Sequence, residues 1–181
     1  MHKLGTLTGW LPARGNNHKD NNMNKSQTVF FTGHRDFYHT QGSRAFDALE
    51  YTIGVYIKKG YKYFVAGGAI GFDTMAAECV LKLKSEGADI SLILMLPCYD
   101  QDAKWNSFSR QKYRKIISLA DKVIYTAREY SRGCMLARNR AMADCSAACI
   151  AYYTKPTGGT AYTLDYASKK GLIITNIAHM F

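Results

Sequence analysis

Short apolar runs alternate with longer amphipathic stretches from residue 28 to residue 176. The runs are TVFFT (28–32), YFVA (63–66), ISLILML (90–96), KVIY (122–125), ACIAYY (148–153) and LIITN (172–176). They are rich in β-branched and aromatic residues, as buried strands are. Between the first two, residues 44–59 carry Phe46, Leu49, Ile53 and Ile57 at helical spacing, and Gly60 marks the stop. Residues 72–85 place Met75, Cys79 and Leu83 on one face, and 108–120, 135–143 and 160–170 read as further helices. Strict strand–helix alternation implies parallel pairing through right-handed crossovers. Near-continuous apolar strands imply a sheet covered on both faces. The expected fold is therefore α/β, a Rossmann-like three-layer α/β/α sandwich with a mostly parallel sheet. In such folds ligands gather beyond the carboxyl ends of the strands, near a reversal in strand order.

Residues 1–22 lack this periodicity and finish in an Asn/Asp/Lys cluster. They are expected to be a flexible N-terminal extension, with residues 23–181 as a single domain and Met23 a plausible native start. Of the 181 residues 47% are hydrophobic, enough for a sizeable core. The formal net charge of +10 favours anionic partners such as nucleotides, nucleic acid or acidic surfaces, without choosing among them. The five cysteines are odd in number and form no C-x-x-C, which points to a reducing compartment rather than a disulfide framework. Cys145 and Cys149 stand four apart with no histidine pattern beside them, so no metal site and no cofactor are expected. No apolar run reaches the roughly 18 to 20 residues of a membrane span, and the start of the chain lacks a signal-peptide layout. A cytoplasmic location without membrane contact is expected.

Glycines at the predicted strand ends carry the candidate chemistry. In VAGGAIGFDTMAAE (65–78), Gly67 and Gly68 close a strand and Gly71 opens a helix. Glycine weakens both kinds of element, so its presence here suggests close approach of the backbone to a ligand, with the helix N-terminus offering N–H groups to an anion. Asp73 is placed either to cap that helix or to accept a ribose hydroxyl. A tight turn with a first-turn helix charge explains this stretch alone equally well. The same arrangement recurs in TKPTGGTAYT (154–163), where Gly158, Gly159, Thr160 and Thr163 follow a strand and lead into a helix. The first strand runs into TGHRD, which puts Gly33, His34 and Arg35 at the same rim, and arginine suits bidentate phosphate contact. In SRGCMLARNRAMAD (131–144), Arg138 and Asn139 open a helix at that edge. Tyr99, Gln101 and Trp105, after Pro97, could frame a base by stacking and hydrogen bonding, or Trp105 could pack as core.

In order, GHR, GGAxGxD, P-x-Y-x-Q-x-x-x-W, an RN-containing helix and GGT-x-x-T-x-x-x-A resemble the YpsA-type branch of the SLOG superfamily. The resemblance spans residues 28–177. SLOG groups Rossmann-like nucleotide-binding domains related to the DNA-processing protein DprA and to the LOG phosphoribohydrolases. GGAIGFD also resembles the GGAxGID of DprA, and ARNRAMAD resembles its RNRIIAG. The resemblance implies a pocket for a nucleotide or nucleotide-derived ligand lined by the glycine turns; related Rossmann-like proteins often pair through helices, which leaves a homo-oligomer open. LOG enzymes carry PGGxGTxxE, whose glutamate serves N-glycosidic hydrolysis. Here the stretch is TGGTAYTLD, without that glutamate, and Asp165 is offset and shorter.

Three functions follow as expectations. The first is a binding module for a nucleotide or ADP-ribose-like ligand, acting as sensor, carrier or sequestering protein. Its phosphates would lie on Gly67–Gly68 and Gly158–Gly159–Thr160, neutralised by Arg35 and Arg138, with a base or second sugar near Tyr99 and Trp105. The second is an N-glycosidic hydrolase of a nucleoside monophosphate or NAD-like compound, assisted by Asp73 or Asp165. The third is single-stranded DNA binding, through Lys104, Arg110, Lys112, Arg114 and Lys115 interleaved with Trp105 and Tyr113; a solvated basic helix face accounts for that run as well.

Overall fold

A computed structural model describes residues 23–37 and 42–180. The expectation for residues 1–22 lies outside the described residues. The strands are β1 (Thr28–Gly33), β2 (Tyr63–Ala66), β3 (Ser91–Leu96), β4 (Lys122–Tyr125), β5 (Ala148–Tyr152) and β6 (Ile173–Asn176). The helices between them are α1 (Gly42–Lys58), α2 (Phe72–Ser85), α3 (Ser107–Leu119), α4 (Cys134–Asp144) and α5 (Gly158–Lys169). The six strands form one sheet in the order β4-β3-β2-β1-β5-β6. Every pairing in it is parallel.

Strand alternation sorts the core into two layers. Val29 and Phe31 of β1 pack with Leu49 and Ile53 of α1, Met75 and Cys79 of α2, and Ile116 of α3. Phe30, pointing the other way, packs with Met142 of α4 and Ala167 of α5. Both faces are thus covered, which is why β1, β3 and β5 read as unbroken apolar runs. The ring of Phe31 lies 6.2 Å from Phe64 and 6.5 Å from Phe72, stitching β1 to β2 and to the start of α2.

The strand order fixes where a ligand can sit. Starting from β1, the chain builds outward through β2, β3 and β4, then returns to the other side of β1 with β5 and β6. The loops after β1 and β5 therefore diverge and leave a crevice at the carboxyl end of the sheet. The register brings Gly33 opposite Tyr152, so both strands finish at the same level. Most predicted boundaries move by one or two residues; α5 begins at Gly158, not at residue 160, because both glycines already take part in its first turn.

Candidate functional site

The loops at the crevice are tied to one another by their own polar groups. His34 Nε2 accepts the N–H of Thr154 (3.1 Å), joining the loop after β1 to the loop after β5. The His34 carbonyl accepts the N–H of Phe72 (3.2 Å), joining the same loop to the start of α2. A ring that accepts at Nε2 must be neutral and carry its proton on Nδ1. Burial holds the His34 pKa below its ordinary value; nearby Lys155 acts in the same sense and Asp36 in the opposite one.

The first glycine loop is packed by the chain itself. The Gly67 carbonyl accepts Nη1 of Arg138. A methyl group at Gly67 would strike that guanidinium and come within 2.6 Å of Asp73 Oδ2. Gly71 caps α2 at φ 90°, in the left-handed region, and a side chain there would run into the Arg35 main chain. These glycines admit the Arg138 and Asp73 side chains and the Arg35 main chain, so their close approach serves the chain's own packing. Asp73 is buried in the first turn of α2, with the Ala69 N–H 3.4 Å from Oδ2. Burial pushes its carboxyl above the usual range, against the pull of Arg138, the Ala69 N–H, Arg35 and the Gly67 N–H.

Arg138 is buried as well, and much of its donor capacity is spent inside the fold. Nη1 also reaches the Met95 carbonyl (3.2 Å), and Nε donates to Asn139 Oδ1 (2.8 Å). Asn139 Nδ2 donates to Thr163 Oγ1 (2.7 Å), whose hydroxyl donates to the Gly159 carbonyl (2.7 Å). This relay runs from the ends of β2 and β3, through α4, to the first turn of α5. It holds that turn in place without using its N–H groups.

The second glycine loop is open. Thr157 precedes α5 in extended geometry and its side chain makes no capping hydrogen bond. Gly158 has φ 85°, and a Cβ built on Gly158 or Gly159 meets nothing within 4 Å. Unfilled N–H groups of a first helical turn, carrying the positive end of the helix dipole, suit an anion.

A cavity of about 230 Å³ lies between these loops. Gly33, His34 and Arg35 form one wall, Ala69 and Asp73 a second, Met135, Leu136, Arg138 and Asn139 a third, and residues 157–160 the fourth. Arg35 is exposed, and among the described residues its side chain makes no hydrogen bond or ion pair. Gly67, Gly68, Gly71 and Thr163 stand behind the lining rather than in it. Tyr99, Gln101 and Trp105 are elsewhere, on the β3–β4 side. Tyr99 stacks on Tyr125 at 4.1 Å, Gln101 donates to the Gly68 carbonyl (2.7 Å) and Trp105 packs edge-on to Tyr113 at 5.0 Å. Asp165 pairs with Lys169 (2.7 Å) and Glu78 with Lys112 (2.9 Å), both away from the cavity. Asp73 is thus the carboxylate lining it among the described residues. Phe31, Thr32, Ala69, Met135, Leu136, Met142 and Thr157 complete the lining and were not singled out as site residues in the sequence. Helical spacing offered a signal for Met135, which stands one turn before Arg138 and Asn139. Among the described residues no group of three or more His, Cys, Asp or Glu is placed to hold a metal ion. None of their helices is long and apolar enough to cross a membrane.

The YpsA family model, described as the YspA SLOG family, matches residues 29–175. An uncharacterized SPbeta prophage-derived protein of Bacillus subtilis, YoqJ, is 33% identical over 136 residues, covering 68% of this chain and 80% of its own. A UPF0398 protein of Halalkalibacterium halodurans is 32% identical over 126 residues, covering 68% of this chain and 67% of its own. Among solved structures, the DNA processing protein A of Helicobacter pylori superposes with a TM-score of 0.62 at 19% identity, over 86% of this chain and 67% of that one. Its structure is described in terms of a single-stranded DNA binding mode.

Proposed function

The chain belongs to the YspA SLOG family, and on that premise we propose that it is a binding module for a nucleotide or an ADP-ribose-like derivative. The observation that carries this reading is the open first turn of α5, facing a buried Asp73 and an Arg35 unpaired among the described residues, across one cavity at the reversal of strand order. A phosphate on the N–H groups at Gly158–Thr160 would gain the helix dipole and the Arg35 charge. A ribose hydroxyl beside it would give the buried Asp73 carboxyl a further donor, beside the Ala69 N–H at 3.4 Å and the Gly67 N–H. The cavity is of the scale of a sugar phosphate, somewhat below the span of drug-sized pockets. Such a protein senses, carries or sequesters its ligand.

Titration calorimetry with a panel of nucleoside monophosphates, diphosphates and ADP-ribose tests the reading. At least one member should bind, and Gly159→Glu, which puts a carboxylate into the open turn, should abolish that binding. Silence across the panel would refute it. Chromatography of the same mixtures tests the hydrolase alternative: release of free base would convert Asp73 from a ribose partner into a proton donor, a role its raised pKa suits.

A second reading, single-stranded nucleic acid, is favoured by the opposite rim. Phe108, Tyr99 and Tyr130 are 71%, 62% and 65% exposed. Lys104, Arg128 and Arg132 stand among them without ion pairs to other described residues. Exposed rings with basic neighbours suit unpaired bases. Part of the α3 charge is already spent: Arg110 and Arg114 face Asp102 at 3.8 and 3.6 Å. Gel-shift affinity that falls steeply with added salt, and falls further in Tyr99→Ser/Tyr130→Ser, would support this reading; no shift at low salt would remove it.

A further inference from the structure

A second, shallower depression of about 500 Å³ lies beside the first, lined by Tyr153, Thr154, Pro156, Asn176, Ala178 and His179. The wall between the two is the short segment from Tyr153 to Thr157. Thr154 lines the outer depression and Thr157 the inner cavity. Three residue steps separate them, at most about 10 Å of chain.

That wall is held rigidly on both sides. Asn176 grips Tyr153 twice, accepting its N–H (3.0 Å) and donating to its carbonyl (2.9 Å), while its Oδ1 also takes the Ala178 N–H (3.2 Å). From the inner side, His34 Nε2 takes the N–H of Thr154. The rings of His34 and Tyr153 lie stacked across the wall, 6.3 Å apart and 25° from parallel. On its crest stands Lys155, paired with Asp36 at 2.7 Å and 61% exposed at its side chain, with ammonium protons left over for a second anion. One segment thus offers an aromatic face outward, a cation at the top and helix N–H groups inward.

We propose that the ligand is a two-part nucleotide joined through phosphate, its sugar phosphate in the inner cavity and its base in the outer depression. The linking phosphates cross the crest at Lys155, and the base lies against Tyr153 and His179. This rests on the nucleotide reading above and adds the class of ligand and the position of its base. It also relieves a difficulty of that reading, since Tyr99 and Trp105 are committed to Tyr125 and Tyr113 on the far rim. Asn176 spends its polar groups on the main chain, so the depression reads a flat face more than a particular base edge.

Ribose 5-phosphate and ADP-ribose, titrated against the same protein, separate the two claims. ADP-ribose should bind at least about tenfold tighter than ribose 5-phosphate, as one stacked base allows. Tyr153→Leu, which keeps bulk beside His34, and His179→Ala should each cost ADP-ribose about fivefold or more, and leave ribose 5-phosphate within about twofold. Tyr153→Phe should restore the wild-type preference. Equal affinity for the two probes in the wild-type protein, or a preference that survives both substitutions, would overturn the two-part site while leaving the inner cavity standing. Parallel losses for both probes in Tyr153→Leu would overturn it too. Absence of binding by either probe would sink the nucleotide reading and this one together.

Discussion

At Gly159 stability and binding pull in opposite directions. A Cβ there meets nothing and the backbone is not left-handed, so alanine restricts the unfolded chain at no steric cost. Gly159→Ala should raise unfolding free energy by about 0.4–1 kcal/mol in urea titration, while its methyl group weakens phosphate binding. Gly158, at φ 85°, should behave oppositely and lose stability on the same change. Arg138 has the reverse balance of roles. Arg138→Met would leave the Gly67 and Met95 carbonyls without their donor and Asp73 without its nearest positive charge. A loss of about 1–3 kcal/mol is expected in the same measurement, as for buried carbonyls left without a donor. Sequence order pointed to both residues, but not to this division of labour. Which glycine stays open and which faces an arginine depends on side chains that arrive from another part of the chain, and spacing along one loop does not report that.

At the scale of elements, the loop after β1 depends on a neutral histidine. The fold lowers the His34 pKa below 6.5, so the unfolded chain binds more protons between 6.5 and the folded value. The stabilisation is whole above about pH 6.5 and fades as pH falls through that window. The wild-type midpoint of thermal unfolding should therefore drop between about pH 7.5 and pH 5.5 more than that of His34→Gln, which keeps an acceptor for Thr154 without titrating. Equal slopes would mean that folding does not hold the His34 pKa down. The elements themselves were readable because hydrophobic period separates strands from helices almost without ambiguity here: β2, β4 and α2 keep their predicted limits. Other ends shift by one or two residues; at α5 the cause is glycine, which can open a helix as readily as precede one.

For the whole molecule, alternation implied parallel pairing, and the sheet is parallel throughout. It did not imply the order of strands, which rests on which crossover turns back; that order decides which loops share the crevice. The β1, β2 and β5 loops and the start of α4 meet there, while the loop carrying Tyr99 and Trp105 falls outside because β3 lies two strands away from β1. The cavity and the basic rim at Tyr130 are therefore separate surfaces, and a ligand in one should leave the other free. Saturating ADP-ribose should raise the unfolding midpoint by mass action, in wild type and in Tyr99→Ser/Tyr130→Ser alike. The most direct test of the central claim is calorimetric titration of ADP-ribose into wild type and into Gly159→Glu. Saturable binding to the first and none to the second, with both proteins folded, is the predicted result; equal heats from the two would contradict it.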